Sequence, residues 1–507
     1  MQRDGACTSV WQQSVTDYQP VNALKNELFD VIIIGGGITG ITTALLLQKQ
    51  GKKCAVVEAH KLCYGTTGGT TAHINTILDN PYYQVIKDFG EDGAQLLAKA
   101  TREAVALVEQ NVQQYNIDCK FRKLPAYVFS QNEQQSKELD DIVNGTMRAN
   151  LEISYSSDMP IPVPYEKAMV VKEQAQFNPV EYVFALAKEY ESLGGLIIQD
   201  CRVENFRDKG LKILQTTKGD FTANALVFAT HIPIGINLLH LRCAPYRSYA
   251  IAVRLANNDY PDGLVYDLYE PYHYYRTQEI NGEPYMIVGG EDHKTGHHEN
   301  TPECFRKLEA EVRKYFDVKE VSYKWSSQYY KPADGLAYIG NLPGHTENLL
   351  VAPGFSGNGM TYRHIAALVI SDIISKGNSQ YQGLFSPNRI KPVAGFTDFV
   401  KENADVVAEL VSGLFPKDKL HQLAELAAGE AKVFSVDGSK TAIYKDQLGK
   451  LHAVNPTCTH AKCTVSWNYA EQSWDCPCHG ARYSADGEVI TGPASKDLKT
   501  INIEEKL

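Results

Sequence analysis

The sequence predicts an α/β fold in which a parallel-sheet core is interleaved with a mixed-sheet domain and followed by a small all-β domain. Three observations predict it. A β-branched run, Val31 to Ile34, passes into G-x-G-x-x-G at Gly35, Gly37 and Gly40 and then into an apolar, helix-like run, Ile41 to Leu47. Aromatic and β-branched residues dominate the block from Arg242 to Lys331, and four of the eleven cysteines crowd with two histidines into the last fifty residues.

The unbroken run Val31–Ile34 suits a strand buried on both faces of a parallel sheet. Gly35 permits a tight turn, Gly37 lets the backbone approach a pyrophosphate, and Gly40 lets helix and strand pack closely. The N–H groups around Ile38 and Thr39 open the helix and offer a positive dipole end to an anion. A second strand, Cys54 to Val57, ends at Glu58, placed to accept hydrogen bonds from a ribose diol. Glycine-rich turns also close ordinary loops. Strand, turn, helix, strand and acid in register read instead as a Rossmann-like dinucleotide site.

A chain of 507 residues exceeds one core and implies two to four domains. The formal charge of -10 argues against a nucleic-acid partner, which requires a basic face. No apolar run approaches the roughly 18 to 20 residues that span a bilayer. The N-terminal stretch MQRDGACTSVWQQSVTDYQ has neither an apolar export core nor a twin arginine, so a cytoplasmic location is expected. Residues before Leu28 are polar, carry no evident chemistry, and read as an extension packed on the protein surface.

After Glu58 comes KLCYGTTGGTTAHI, whose small and hydroxyl residues, Thr66 and Thr67 among them, can lie against a planar cofactor while donating hydrogen bonds. Here the sequence resembles the D-amino-acid oxidase and glycine oxidase family of FAD-dependent amine oxidoreductases, over about residues 29 to 378. The resemblance implies a FAD-binding domain of the glutathione-reductase type at about 29–80, 168–237 and 332–378, and a substrate domain at about 81–167 and 238–331. Members that tether the flavin read G-T-T-W-H in this loop. Gly69 stands at the histidine's place here, which implies non-covalent FAD, although His73 lies nearby.

Further along, Leu96, Leu97, Ala100, Ala104, Leu107, Val108 and Val112 recur at helical spacing between Gly90 and Gln114. Phe177 to Gly195 reads as a helix capped by Asn178, with Pro179 first. Strand-like segments follow through Val203, Leu211–Leu214 and Phe221 to ALVFAT, Ala225–Thr230. In the resembled family such a strand returns the chain to the cofactor, where Val203 is also expected and His231 replaces a glycine. The sheet expected from Arg242 to Lys331 would roof the flavin ring, so Tyr249, Tyr274, Tyr275 and Arg276 are candidates for the substrate pocket; tyrosines at this density are also ordinary sheet packing.

A second specific signal is Leu349–Ala352 running into a turn with Gly354, Gly357 and Gly359, then a helix from Met360 and Thr361. Such a turn offers N–H groups to the negative edge of a reduced flavin, and the family closes its FAD site with a similar element. Many members that oxidise amino acids place an arginine before the proline of the preceding segment. Lys331 stands there, a point charge without a fork, which weakens the inference to an α-amino-acid substrate.

Residues 379–425 read as a linker, with a stripe of Val400, Ala404, Val407, Val411 and Leu414 marking an amphipathic helix over 399–415 that docks between domains. The final stretch, 426–507, holds Cys458 and His460 on one loop and Cys476 and His479 on another. A structural zinc site could use two cysteines and two histidines, but would leave Cys463, Cys478 and the CPCHG pattern unexplained. The pattern resembles the Rieske 2Fe-2S family, in which two cysteines bind one iron and two histidines the other. That resemblance implies Cys458, His460, Cys476 and His479 as metal ligands and a Cys463–Cys478 disulfide. It also implies a shielding loop at Gly487–Ala494 and a hydroxyl from Tyr483 to a ligand sulfur. Ala481 departs, because many high-potential relatives place a serine there.

Together these features predict a FAD-dependent oxidoreductase acting on a C–N bond of a small amine or amino acid. Electrons would pass from FAD to the cluster and then to an external acceptor, a protein or a quinone. A reductase running in reverse and a non-catalytic redox sensor are the alternatives.

Overall fold

The computed structural model describes residues 3–13, 15–23, 27–345, 347–389, 403, 404, 406, 418, 419, 426–436 and 439–502. The expected helix over 399–415 falls largely outside them. Two large sheets and two small ones carry the chain.

The first sheet orders its strands Gly340–Asn341, Leu349–Val351, Gly219–Phe228, Leu28–Ile34, Cys54–Val57 and Leu196–Ile198. Four of these five pairings are parallel, and only Gly340–Asn341 with Leu349–Val351 is antiparallel. Val31, Ile32, Ile33 and Ile34 are buried because helices cover one face and a separate apolar layer the other. Gly35 has φ +111 and Gly40 leaves no room for a side chain, since a Cβ there would lie 1.9 Å from the Gly35 carbonyl oxygen. These two glycines let the helix Ile38–Lys49 start directly behind the strand.

The second sheet runs Val318–Pro332, Cys243–Leu255, Glu283–Lys294, Tyr274–Ile280, Leu264–Tyr266, Arg122–Ser130, Lys167–Gln176 and His73–Ile74. Lys167–Gln176 and His73–Ile74, assigned from sequence to the dinucleotide-binding part, are therefore strands of the other sheet. Helix Tyr82–Gln114 begins ahead of the expected Gly90, where a φ of 80 breaks the helical path. Asn178 caps Pro179–Ser192 as expected, accepting from the N–H groups of Val180 and Glu181.

The C-terminal domain consists of two four-stranded sheets, one of which takes in Asp418–Lys419, ahead of the expected boundary at 426. Between it and the two large sheets lies a buried set of three arginines and three carboxylates. Arg3 pairs with Asp4 at 3.0 Å and Glu471 at 3.5 Å, while Arg482 pairs with Asp475 at 3.1 Å and Asp4 at 3.5 Å. Arg247 approaches Asp475 at 3.7 Å and Glu471 at 4.0 Å. Formal charges cancel within the set, which is what allows it to be buried. The N-terminal segment is thus no surface extension. Arg3, Asp4, Val10 and Trp11 are buried, because Val10 and Trp11 join the main apolar core and the polar groups of Arg3, Asp4 and Trp11 meet partners far away in the chain.

Candidate active site and metal centre

At the carboxyl ends of the parallel strands lies a cavity of about 210 Å³. Gly35, Gly37, Ile38, Thr39, Glu58, Thr66, Thr67 and Val203 line it. Thr67 Oγ1 accepts from the Ile38 N–H at 3.1 Å, tying the hydroxyl-rich loop to the helix start. Glu58 accepts from the Gly36 N–H at 2.6 Å and the His60 N–H at 2.9 Å. Burial raises its carboxyl, and those N–H donors oppose the rise. Gly40 sits behind the turn rather than in the cavity wall.

A second cavity of about 110 Å³ adjoins the first, sharing Thr66, His231, Gln328, Phe355 and Arg363 with it. Gly357 and Gly359 line it, with Asp79 accepting from the Gly357 N–H at 2.7 Å. Met360 and Thr361 begin the helix Gly359–Lys376, and Thr361 donates to the Asn75 carbonyl at 2.8 Å. Gly354, with φ +80, packs on Pro332 and Cys243 outside both walls.

Tyr249 and Tyr274 reach this second cavity, but Arg276 and Lys331 do not. Arg276 is buried behind the loop, donating to the carbonyls of Thr71 at 2.6 Å and Ala72 at 2.8 Å. Lys331 is exposed beside Arg242, Lys294 and Cys478. Sequence reasoning missed Asp292, Tyr329 and Arg363, which do line the cavities. The GG before Glu291 and Asp292 was the available signal, since paired glycines in a strand mark a bulge.

In the C-terminal domain, the sulfur of Cys458 meets the Tyr483 hydroxyl at 3.2 Å, and Cys463 and Cys478 form a disulfide. Hydrogen bonding from Cys476, and then from Tyr483 and two backbone N–H groups, pulls the Cys458 thiol down to about 6 despite burial. Cys476 also lies near the two disulfide sulfurs, but sulfurs bonded to each other are not thiolate ligands. The rings of His460 and His479 are 5.0 Å apart. Burial lowers both, His479 to about 4, so both are neutral and able to donate a lone pair. Nδ1 of each is buried without a partner, while His460 Nε2 lies 3.1 Å from the Gly235 carbonyl oxygen. Two buried thiols and two orphaned imidazole nitrogens on the two loops fit a metal centre with mixed sulfur and nitrogen ligands.

This centre is not at the molecular surface. His460 is 9% and His479 6% exposed, because the larger part of the chain covers them with Gly235 and His240. The His240 ring stands 4.5 Å from that of His460 and 5.5 Å from that of His479. Gln328 donates to the Gly480 carbonyl at 2.9 Å and Tyr330 to the His479 carbonyl at 3.1 Å. Both side chains also line the 210 Å³ cavity, as do Val489, Ile490 and Thr491 from the C-terminal domain.

Residues 30–373 match the family model of FAD dependent oxidoreductases, and residues 418–502 match that of the Rieske [2Fe-2S] domain. The chain belongs to the FAD-dependent oxidoreductase family. Its C-terminal part is a Rieske domain. YhfW of Bacillus subtilis (strain 168), whose name describes a Rieske 2Fe-2S iron-sulfur protein, is 33% identical over 499 residues, 97% of each chain. Gamma-glutamylputrescine oxidoreductase of Escherichia coli (strain K12) is 22% identical over 390 residues, covering 72% of this chain and 88% of that protein. Glycine oxidase from Geobacillus kaustophilus shares the fold of the oxidoreductase part, with a TM-score of 0.61 at 17% identity, over 72% of this chain and 99% of that one.

The family therefore supplies FAD and the domain a 2Fe-2S cluster, and the residues present fit both. Gly37 gives close access to the backbone, since a Cβ there would stand 2.8 Å from Thr67 Oγ1. Arg363 Nη1 is buried without a partner at the junction of the two cavities. No helix among the described residues is long and apolar enough to cross a membrane.

Proposed function

We propose that this chain oxidises a C–N bond of an amine or amino acid, with electrons passing one at a time from non-covalent FAD through its own cluster to an external acceptor, a protein or a quinone. The observation that carries this reading is the packing of His460 and His479 against the wall of the dinucleotide cavity, with Tyr330 belonging to both. FAD, when bound, accepts two electrons as a hydride, whereas the cluster accepts one at a time.

The turn of Gly35, Gly37, Ile38 and Thr39 would receive the pyrophosphate, with Gly40 packed behind it, and Glu58 would take the ribose. Thr66, Thr67 and Val203 complete that wall. Gly357 and Gly359, with Met360 and Thr361 opening the helix behind them, would form the turn and helix start toward the flavin's negative edge, and Gly354 braces that turn from outside the wall. Cys458 and Cys476 hold one iron, His460 and His479 the other, and the Cys463–Cys478 disulfide clasps the two loops. Tyr249 and Tyr274 bound the space for a small substrate. In that space oxidation would break the substrate's C–H bond, its hydride going to bound FAD, while the nitrogen lone pair forms the C=N bond. Only the neutral amine has that lone pair, so a substrate arriving as ammonium first passes its proton to a carboxylate of the same wall, Asp292 or Asp79, and the neutral form then needs only alignment.

The likeness to gamma-glutamylputrescine oxidoreductase, named for an amine substrate, supports this choice of bond. A cytoplasmic setting agrees with the sequence. Screening small amines and amino acids anaerobically with a one-electron dye tests the reading. Substrate-dependent dye reduction that disappears in Cys458→Ala supports it; dye reduction unaffected by cluster loss sinks the route through the cluster.

A further inference from the structure

The second cavity holds a feature that the substrate reading does not use. Strands Cys243–Leu255 and Glu283–Lys294 pair in register up to Tyr249 with Gly290, then resume at Arg247 with His293. Glu291 and Asp292 therefore oppose the single residue Ser248. This is a β-bulge, a device that re-aims side chains and recurs beside active sites. Gly290 has φ +146 and Glu291 φ 56, the backbone strain that the bulge requires.

The bulge turns Asp292 into the cavity wall. Tyr329 donates to its Oδ2 at 2.9 Å. Its Oδ1 is buried without a hydrogen-bond partner, and the Ser248 hydroxyl opposite the bulge is the other polar group acting on this carboxylate. Around it stand Tyr249, Tyr266, Tyr272, Tyr274 and Trp325, with Asp79 as a second carboxylate. Arg363 is the only arginine or lysine in the described lining, and it faces the dinucleotide cavity as well, where an anionic cofactor answers its charge. A carboxylate with one free oxygen in a wall rich in aromatic side chains is matched to a cation, through a charge-assisted hydrogen bond.

We propose that Asp292 is the ammonium-binding residue of this site and that it selects cationic amines lacking a carboxylate on the reacting carbon. This rests on the C–N oxidation reading and narrows it. An α-carboxylate in the same space would face Asp292 and Asp79 with like charge, and Lys331, the family's carboxylate-pairing position, lies outside the wall.

The test uses the full-length holoprotein under anaerobic conditions. Butylamine and 2-aminopentanoic acid, which differ only by the carboxylate, are titrated separately while flavin absorbance and calorimetric heat are followed. Butylamine is expected to bind, 2-aminopentanoic acid to bind more weakly, and Asp292→Asn to weaken butylamine by roughly tenfold to a hundredfold. Asp292→Glu should recover part of the loss, and flavin content and Tm of the Asn variant report that it is folded. Equal butylamine affinity in wild type and Asp292→Asn, or tighter binding of the amino acid, overturns the proposal. Binding is read separately from flavin bleaching. Amines that bind at Asp292 without bleaching the flavin contradict the oxidation reading alone, while bleaching by amino acids and not amines contradicts the proposal alone.

Discussion

The phenolic hydroxyl of Tyr330 donates to the backbone carbonyl of His479 at 3.1 Å, and the same side chain lines the dinucleotide cavity. One residue thus touches both redox sites. His231 extends the contact, with its ring 4.8 Å edge-on from that of Tyr330 and its Nδ1 3.3 Å from Thr66 Oγ1.

Replacing Tyr330 by Phe removes that hydrogen bond while keeping the ring. Domain docking should weaken by about 1 kcal/mol, and more if the His479 carbonyl stays dry. Rapid mixing with substrate should show flavin reduction at the wild-type rate and cluster reduction slowed. Equal slowing of both phases would assign Tyr330 to flavin binding instead.

The charge set between the domains gives a second expectation. Glu471 accepts from the Ser326 N–H at 3.0 Å and from the Ala6 N–H at 2.9 Å, besides its arginine partners. Glu471→Ala leaves three buried arginines facing two carboxylates, and the cost should be roughly 3–5 kcal/mol. Thermal unfolding followed by cluster absorbance measures it, and an unchanged Tm would show that the interface is wet or absent in solution.

Ala481 is fully buried beside the metal centre and offers no hydroxyl. Without that donor a reduced, more negative cluster is less stabilised, so its midpoint should lie below the top of the range of roughly -150 to +300 mV. Ala481→Ser should raise it. A redox titration that finds the wild type at the upper limit contradicts this expectation.

Burial raises Asp292 to about 7, with Asp79 and Glu270 adding to the rise and Ser248 and Tyr329 opposing it. Tyr272, Tyr274, His73 and Arg363 also face this cavity. In the pH window between the ordinary 3.8 and about 7 the folded chain holds a proton that the unfolded chain has released. Stability therefore falls as pH rises through that window, by at most about 1.4 kcal/mol per pH unit. Asp292→Asn should abolish this component, measured as the difference in Tm between the two proteins at each pH. Cation binding runs the opposite way, strengthening as pH rises past 7 and the carboxylate ionises.

Much of this architecture was legible because local rules sufficed. Gly35, Gly37 and Glu58 are held by the turn they encode, and Cys458, His460, Cys476 and His479 come in two short loops. What could not be read depends on distant partners. Arg3 is buried only because Glu471 meets it, and Asp292 faces the cavity only because a bulge opposite Ser248 turns it there. Arg276 misled for the same reason, since its alternation in the strand does not reveal that Thr71 and Ala72 consume its hydrogen bonds. The covering of His460 by Gly235 and His240 belongs to the docking of two domains, which no motif within either one reports.

The central claim is that flavin and cluster exchange electrons within one chain. Its most direct test is a single anaerobic turnover of the purified holoprotein, with flavin followed by absorbance and cluster by electron paramagnetic resonance. The account predicts flavin bleaching, then a reduced-cluster signal at a rate independent of protein concentration. A bleached flavin beside a cluster that stays oxidised, or that is reduced only in proportion to protein concentration, would contradict it.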